Sequence, residues 1–327
     1  MERLQHHWYR IAPLHLLLYP VSLIFRTLVA LRRLLYRCGV LAAVKLPVPV
    51  VIVGNISVGG TGKTPLTLWL AQQLIEDGWH PGIISRGYRR TDSGQDTPRA
   101  VAADDTADDV GDEPLLMAQR ELCPVWIGRD RPAVAQALLQ AHPECDIILS
   151  DDGLQHYRLH RDAEIIVVDG ARRFGNGCLL PAGPLREPVS RLAQADAVIV
   201  NGGESRGSEY AMRLEGTCFY NLLNPELTNT AGDFAGQRLH AIAGIGHPQR
   251  FFAHLQQLGL SCITHGFPDH HRYTATEIAF DDADAILMTE KDAVKCAAFA
   301  TEQCWVLRVD AQVSPALAQL IIKKVTP

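Results

Sequence analysis

Short apolar runs and longer stretches with helical spacing alternate along the first two thirds of the chain. The run VPVVIVG (48–54) is almost wholly apolar and rich in β-branched residues, which predicts a strand buried on both faces. In the stretch that follows, Leu66, Leu70 and Leu74 have helical spacing, and Gly78 is a stop signal. Further strand candidates lie at 82–85, 124–128, 145–150, 164–169 and 196–201, with helical stretches at 113–122 and 131–141. This alternation predicts an α/β fold with a doubly wound, mostly parallel sheet.

The pattern changes from about residue 210, where a connection rich in turn-forming residues (222–236) precedes a new set of elements. The segments beyond it predict a second, smaller α/β unit: 239–246, 248–259 and 284–293. We therefore expect three parts, which are an N-terminal helix (1–40), a larger domain (41–215) and a smaller C-terminal α/β domain (216–327).

The N-terminal part combines an apolar run with basic flanks. Residues 11–25 contain no charged side chain, and residues 1–45 carry seven arginines and lysines against one acid, a net charge of +6. A membrane span needs about 20 apolar residues, so this run is short. Arginines on both sides and the lack of a small-residue cleavage site argue against a signal peptide. A buried helix is the alternative, but the composition favours a helix seated on an anionic membrane surface.

Composition and length indicate a globular chain that is long enough for two domains. Its 327 residues are 47% hydrophobic and 20% charged. The eight cysteines are scattered and form no C-x-x-C pair, which argues against a zinc site or a disulfide framework. This use of cysteine is typical of a reducing compartment, and we expect a cytoplasmic location.

The segment NISVGGTGKTPL (55–66) resembles a phosphate-binding loop whose first glycine is replaced by Ser57. It lies between a predicted strand and a predicted helix, as that motif requires. The loop amides and the helix N-terminus would then bind a polyphosphate, with Lys63 at the β- and γ-phosphates and the Thr64 hydroxyl on Mg²⁺. The alternative is a glycine-rich turn without a ligand. We expect ATP to contact Ser57, Gly59, Gly60, Thr61, Gly62, Lys63 and Thr64.

Several polar residues follow predicted strands at the edge of the sheet where ligands bind. Asp151 and Asp152 come directly after an apolar strand, where a Walker B acid orients Mg²⁺, although a plain polar turn has the same composition. The arginine motifs SRGYRR (85–90) and GRDR (128–131) also follow strands. These arginines either contact an anionic ligand or are ordinary surface charges.

A third acidic segment and a histidine pair are candidates for proton transfer. In DDTADDVGDEPLL (104–116), Asp112 is predicted to be a helix N-cap, and with Glu113 it could also face the γ-phosphate and accept a hydroxyl proton. The segment FPDHH (267–271) contains two adjacent histidines, which seldom share a metal ion. The more specific hypothesis is that one of them relays protons to a carboxylate.

Seven motifs in order resemble the tetraacyldisaccharide 4′-kinase family. They are GNISVGGTGKTP, SRGYRR, VGDEP, DDGLQH, LLPAGPLREP (179–188), FPDHH and TEKDAVK (289–295). The resemblance runs from the N-terminal apolar segment to about residue 295, and Ser57 is part of that family's loop. It implies a kinase that uses MgATP to phosphorylate the 4′-hydroxyl of a tetraacylated glucosamine disaccharide 1-phosphate. The product would be lipid IVA, an intermediate of lipid A and lipopolysaccharide biosynthesis.

The resemblance also implies roles for individual residues. Asp112 matches the general base, His270 matches its catalytic partner, and Lys63 matches the catalytic lysine of the loop. The implied Mg²⁺ ligands are Thr64, Asp151, Asp152 and Glu187. Arg129 and Gln155 match positions near the nucleotide or the substrate.

Two other classes of protein share some of these features. A membrane-associated ATPase switch of the MinD type also carries a strand, a GG-x-GKT loop and a helix, but has a lysine where this chain has Val58 and a C-terminal membrane helix. A soluble small-molecule kinase leaves the N-terminal helix unexplained. We therefore expect a lipid kinase with no nucleic-acid partner, held by its N-terminal helix at the cytoplasmic face of the inner membrane.

Overall fold

The computed structural model of the protein describes Trp8, residues 13–87 and residues 97–326. Residues 88–90 of the SRGYRR motif and most of the chain before Pro13 lie outside the described residues. The strands are β1 (Val50–Gly54), β2 (Pro81–Ser85), β3 (Arg99–Ala100), β4 (Val125–Ile127), β5 (Ile147–Asp151), β6 (Ala163–Asp169), β7 (Ala197–Asn201), β8 (Tyr210–Glu215), β9 (Cys218–Asn221), β10 (Thr228–Thr230), β11 (Leu239–Ala243), β12 (Cys262–Gly266), β13 (Ala285–Thr289), β14 (Cys304–Leu307) and β15 (Asp310–Val313).

The α-helices of the described residues are α1 (Pro13–Arg37), α2 (Lys63–Glu76), α3 (Ala107–Val110), α4 (Asp112–Gln119), α5 (Arg131–Ala141), α6 (Pro248–Gln257), α7 (Glu290–Cys296) and α8 (Pro315–Val325). Short 3₁₀ helices cover Val189–Gln194, Ala231–Phe234, Ala275–Glu277 and Ala297–Phe299.

The larger sheet has nine strands in the order β15-β8-β7-β6-β1-β5-β2-β4-β3. β1 lies at its centre and pairs in parallel with β5 and β6. All the other neighbours pair in parallel too, except at the edges, where β3 and β15 are antiparallel. The predicted doubly wound, mostly parallel sheet is confirmed. Because parallel strands end at the same edge, the motifs after β1 and β5 lie side by side.

Helices cover both faces of this sheet. On one face, α2, α4 and α8 bury apolar side chains that include Leu70, Met117 and Ile321. On the other face, α5 packs through Val134 and Leu138. The central strands β1, β2, β5 and β6 are buried along their whole length, as their continuous apolar composition predicts.

The second unit is built on a six-stranded sheet in the order β10-β9-β14-β13-β11-β12. Strands β11 to β14 pair in parallel, and β9 and β10 add an antiparallel edge. Its core contains Phe219, Phe251 and Leu287. The predicted second, smaller α/β unit is therefore present.

The C-terminal segment does not stay with that unit. β15 pairs with β8 at the edge of the larger sheet, and α8 packs Leu317 and Ile321 into the core of the larger sheet. The expected C-terminal domain of 216–327 differs from the structure in this segment. The return has a physical reason, because Leu317 and Ile321 are fully buried in that core.

Helix α1 lies on the larger unit with one side inward. Ser22 is buried, and its hydroxyl donates to the Leu179 carbonyl at 2.9 Å, while Phe25 packs on the core beneath α5. The outward stripe is apolar, with Leu17, Val21, Ile24, Leu28 and Leu31 between 49% and 75% exposed. No helix within the described part of the chain combines the length and the apolar character that crossing a membrane requires.

Candidate active site

The phosphate-binding loop joins β1 to α2 and is shaped by glycine. Gly62 is the N-cap of α2 and has φ of 91°, in the left-handed region that favours glycine. A Cβ at this position would lie 2.4 Å from Nδ2 of Asn201, which donates to the Thr61 carbonyl at 3.0 Å. The backbone of the loop is thus held close to β7, and α2 begins at Lys63 with its amides directed into the loop.

The phosphate-binding loop also contacts the segment that precedes Glu187. Ser57 forms an antiparallel bridge with Leu185, and the Val58 amide donates to the Pro184 carbonyl at 2.8 Å. Ser57 is absent from the residues with positive φ. Glycine is therefore not required by the backbone at this position, which explains how the motif tolerates serine here.

Asp151 and Asp152 end β5 beside the loop. Asp151 is fully buried and accepts from the Thr67 hydroxyl at 3.3 Å, while its Oδ2 has no hydrogen-bond partner among the described residues. Burial, together with the negative charge of Glu113, raises the pKa of Asp151 to about 7. The charges of Lys63 and Arg131 favour the ionised form of this carboxyl, and a further cation beside Oδ2 would favour it more.

The neighbouring Asp152 has a cationic environment. It lies 3.6 Å from Lys63 Nζ and 3.3 Å from Arg186 Nη1, and its φ of 48° is a left-handed value that costs a non-glycine residue energy. Burial opposes ionisation, but Lys63 and Arg186 hold the pKa of this carboxyl well below its usual range.

The residues at the end of β5 fit a Mg²⁺ ion. Three groups would supply the oxygen ligands that Mg²⁺ prefers. They are Oδ2 of Asp151, which has no partner among the described residues, the Asp152 carboxylate, whose pKa is lowered, and the Thr64 hydroxyl at the start of α2. Among the described residues no group of three His, Cys, Asp or Glu side chains forms a metal site by itself. In phosphoryl-transfer sites one or two carboxylates suffice, because the phosphates and water complete the coordination.

Glu187 has a different environment from the one that the resemblance implies. Its side chain is fully buried and accepts from Gln155 Nε2 at 2.9 Å and from the Tyr157 hydroxyl at 2.7 Å, with Arg191 Nε at 3.4 Å. Gln155 also donates to the Asn55 carbonyl at 3.2 Å. With both oxygens engaged, Glu187 anchors Gln155 under the loop, and we leave Glu187 out of the proposed Mg²⁺ ligands.

Asp112 and His270 meet between the two units. Asp112 begins α4 of the larger unit, His270 follows β12 of the second unit, and His270 Nδ1 lies 2.9 Å from Asp112 Oδ2. The N-cap of α4 is Gly111 and not Asp112, so the predicted capping role is wrong. Asp112 is 6% exposed, and His270 has φ of 60°, an unfavourable value that occurs often in functional sites.

The Asp112 carboxyl is held ionised. Burial opposes ionisation, but the hydrogen bond from His270 and the charge of Lys291 lower the pKa of Asp112 to about 2. Lys291 Nζ lies 3.1 Å from Glu113 Oε1, 3.4 Å from Asp269 Oδ1 and 3.5 Å from His270 Nε2. Lys291 belongs to the TEKDAVK motif, and the sequence alone predicts no role for it.

Arg129 lines an open cavity of about 470 Å³ between α1 and the end of β5. Arg131 is buried, and it donates to the Asp151 carbonyl at 3.0 Å. Burial and the charges of Arg131 and Arg86 lower the pKa of His156, in the same wall, to about 3. The lining of this cavity is mostly basic or aromatic: Arg32, Tyr36, Arg129, Asp130, Arg131, Pro132, His156 and Arg158.

The structure therefore brings most of the predicted site residues to one sheet edge. The loop, Asp151 and Asp152 lie together, and a Cβ at Gly246 of the second unit would approach the Gly60 amide to 3.1 Å. Asp112 and His270 are in contact, whereas Arg129 lines the basic cavity and Gln155 and Glu187 support the loop from below.

Comparisons with known proteins agree with this architecture. The family described as tetraacyldisaccharide-1-P 4′-kinase matches residues 14–326. A tetraacyldisaccharide 4′-kinase of Methylobacillus flagellatus is 50% identical over 324 residues, covering 99% of this chain and 96% of that protein. Another, from Azoarcus sp., is 52% identical over 324 residues, covering 97% of this chain and 94% of that protein. The crystal structure of LpxK from Aquifex aeolicus in complex with ATP matches with a TM-score of 0.81 at 29% identity, covering 96% of this chain and 100% of that chain.

Proposed function

This chain belongs to the tetraacyldisaccharide-1-P 4′-kinase family, and we propose that it performs that reaction with the residues assembled at the edge of the larger sheet. It is an ATP-dependent kinase of lipid A biosynthesis. The acceptor is the 4′-hydroxyl of a tetraacylated glucosamine disaccharide 1-phosphate, and the products are ADP and lipid IVA.

The loop binds the phosphates of ATP. The amides of residues 59–64 and the N-terminus of α2 surround the β- and γ-phosphates, and Lys63 is held at this edge by Asp152 at 3.6 Å. Thr64, Asp151 and Asp152 would hold Mg²⁺, which would neutralise charge on the phosphates during transfer. Ser57 is kept in place by its bridge to Leu185 and adds a hydroxyl beside the loop.

Asp112 is the general base. A sugar hydroxyl is a weak nucleophile, so catalysis needs in-line positioning and a carboxylate that accepts the proton. The 4′-oxygen forms a bond to the γ-phosphorus, the bond from that phosphorus to the β,γ-bridging oxygen breaks, and ADP leaves with the electron pair. The hydroxyl proton passes to Asp112, whose carboxylate His270 orients through the 2.9 Å hydrogen bond.

The basic cavity beside α1 binds the anionic head group of the acceptor. Arg32 comes from α1, Arg129 lies just after β4 and Arg131 begins α5, so the cavity joins α1 to the sheet edge. Arginines in such a wall bind phosphate through paired hydrogen bonds.

Helix α1 seats the protein on the anionic surface of the inner membrane, at its cytoplasmic face. Its outward stripe is apolar and runs parallel to the inward stripe that contains Ser22 and Phe25. Arg26 and Arg37 flank the apolar residues, and both are exposed. An amphipathic helix of this kind binds anionic lipid surfaces, where the acyl chains of the acceptor lie.

The observation that carries the proposal is the contact of Asp112 with His270 at the edge that holds the phosphate loop. The test is to incubate the purified protein with ATP labelled at the γ-phosphate and with the lipid disaccharide 1-phosphate. We expect one labelled lipid product that carries phosphate at the 4′-position. Release of labelled inorganic phosphate without lipid labelling would instead favour an ATPase switch.

A further inference from the structure

Lys291 lies behind the Asp112–His270 pair and has no part in the reaction described so far. It belongs to α7 of the second unit, and its side chain is 18% exposed. Its ammonium group points to the junction where α7 meets the start of α4, and it contacts Glu113 and Asp269 as well as the imidazole of His270. This partly buried cation therefore lies beside the imidazole of His270.

The two nitrogens of His270 have different partners. Nδ1 lies 2.9 Å from a carboxylate oxygen of Asp112, which only accepts hydrogen bonds when ionised. Nε2 lies 3.5 Å from Lys291 Nζ, which only donates. The Asp269 carboxylate lies 3.8 Å from Nε2, farther away than the ammonium group of Lys291. With an acceptor beside Nδ1 and a cation nearest to Nε2, these contacts favour the proton on Nδ1 and the lone pair on Nε2.

The charge of Lys291 is permanent in this environment. Burial works against the charged form, but Glu113, Asp269 and Asp112 raise the pKa of Lys291 above its usual range. A proton on Nε2 would point at this cation, which disfavours both the Nε2–H tautomer and the doubly protonated imidazole. Histidine tautomers are commonly fixed in this way by the partner of the other nitrogen.

We propose that Lys291 is a positioning residue that holds His270 as the neutral Nδ1–H tautomer, so that the imidazole donates to Asp112 and keeps this carboxylate ready to accept the hydroxyl proton. This inference rests on the proposed role of Asp112 as the general base. The same lysine fixes the position of α7 against α4 through Glu113, so the second unit supplies both the histidine and the group that sets its tautomer.

A second ion pair between the units provides a matched control. Arg120 is the C-cap of α4 and contacts Glu290 of α7 at 2.9 Å, with side chains that are 10% and 9% exposed. It joins the same two helices as Lys291, but within the described part of the chain its hydrogen bonds go to Glu290, Asp310 and the Val309 carbonyl and not to His270 or Asp112. If Lys291 serves only to dock the two units, Lys291→Met and Arg120→Met should have the same consequences.

The experiment compares the full-length wild type, Lys291→Met, Lys291→Arg and Arg120→Met. The kcat of Lys291→Met should fall about tenfold to a hundredfold, as expected when a reacting group is misplaced. Its KM for ATP should stay within about twofold, because the phosphate loop is untouched. Lys291→Arg keeps a permanent donor and should retain most of the activity. Arg120→Met should lose stability but keep its kcat.

The tautomer of His270 is read directly by ¹⁵N NMR of the imidazole, assigned with a His270→Gln variant. We expect Nδ1–H in the wild type, in Arg120→Met and in Lys291→Arg, and a shift toward Nε2–H in Lys291→Met. If Lys291→Met does not fold, Lys291→Gln takes its place, since an amide oxygen accepts a proton from Nε2.

An unchanged tautomer in Lys291→Met, with a kcat equal to that of Arg120→Met, would overturn the inference. The base assignment is tested separately by Asp112→Asn. If Asp112→Asn is inactive while Lys291→Met behaves like Arg120→Met, only the role of Lys291 is lost. If Asp112→Asn is active, the proposed reaction mechanism itself is wrong.

Discussion

Replacing the apolar stripe of α1 should release the protein from membranes. Ile24, Leu28 and Leu31 lie on one side of the helix and are 63%, 59% and 49% exposed, so about half of each side chain is available to lipid. Full burial of such a side chain contributes about 1.5–3 kcal/mol, so the available half contributes roughly 1 kcal/mol each and about 3–4 kcal/mol for the three. Since about 1.4 kcal/mol is a factor of ten, the triple change to serine should weaken partitioning by roughly two to three orders of magnitude.

The assay is sedimentation with vesicles of mixed neutral and anionic lipids. A matched control replaces three residues of the second unit, Leu223, Leu227 and Ile263, which are 53%, 50% and 54% exposed. These three should have little effect on binding to vesicles. Binding should also weaken at high salt, because basic residues of α1 contribute through screened attraction. If the α1 variant sediments as the control does, the outward stripe is not a membrane-binding surface.

Two further predictions concern the loop and the basic cavity. Lys63→Ala should reduce kcat by orders of magnitude without unfolding the protein, because Lys63 reaches the transferring phosphate; a folded Lys63→Ala protein with near-normal turnover would contradict the loop assignment. Burial and the nearby arginines lower the pKa of His156 to about 3. The folded protein therefore keeps this imidazole neutral from neutral pH down to about 3, whereas the unfolded chain protonates it below about 6.5. Stability therefore rises with pH across this window and is lost as the pH falls, and His156→Gln should recover roughly 2 kcal/mol of that loss between pH 6.5 and 4.5 in denaturant titrations. Equal acid sensitivity of wild type and His156→Gln would refute the buried neutral histidine.

The parts that the sequence predicts best are those in which local pattern and chemistry coincide. The strand before Ser57 is continuously apolar, and the helix that begins at Lys63 has leucines at helical spacing. The phosphate-binding loop between them could therefore be identified although its first glycine is missing. The same holds for Asp151, which follows a strand that is apolar from end to end.

Long-range contacts account for most of what the sequence left out. Nothing in the local pattern of β15 indicates that it pairs with β8 across almost a hundred residues of chain. Likewise, the motif LLPAGPLREP suggests that Glu187 is a carboxylate beside the metal. Its partners Gln155, Tyr157 and Arg191 become visible only when the chain is folded. Lys291 meets His270 for the same reason, because α7 and the turn after β12 converge only in the second sheet.

The central claim is that Asp112 accepts the proton of the lipid hydroxyl, and Asp112→Asn tests it most directly. Gly111 is the N-cap of α4, and an asparagine oxygen can still accept from His270, so this change keeps the local structure and removes the base. The measurement is the steady-state transfer of labelled phosphate from ATP to the lipid disaccharide 1-phosphate by both proteins. The account predicts that kcat falls by about 10²–10⁴ while KM for ATP is nearly unchanged. A near wild-type kcat for Asp112→Asn would contradict it.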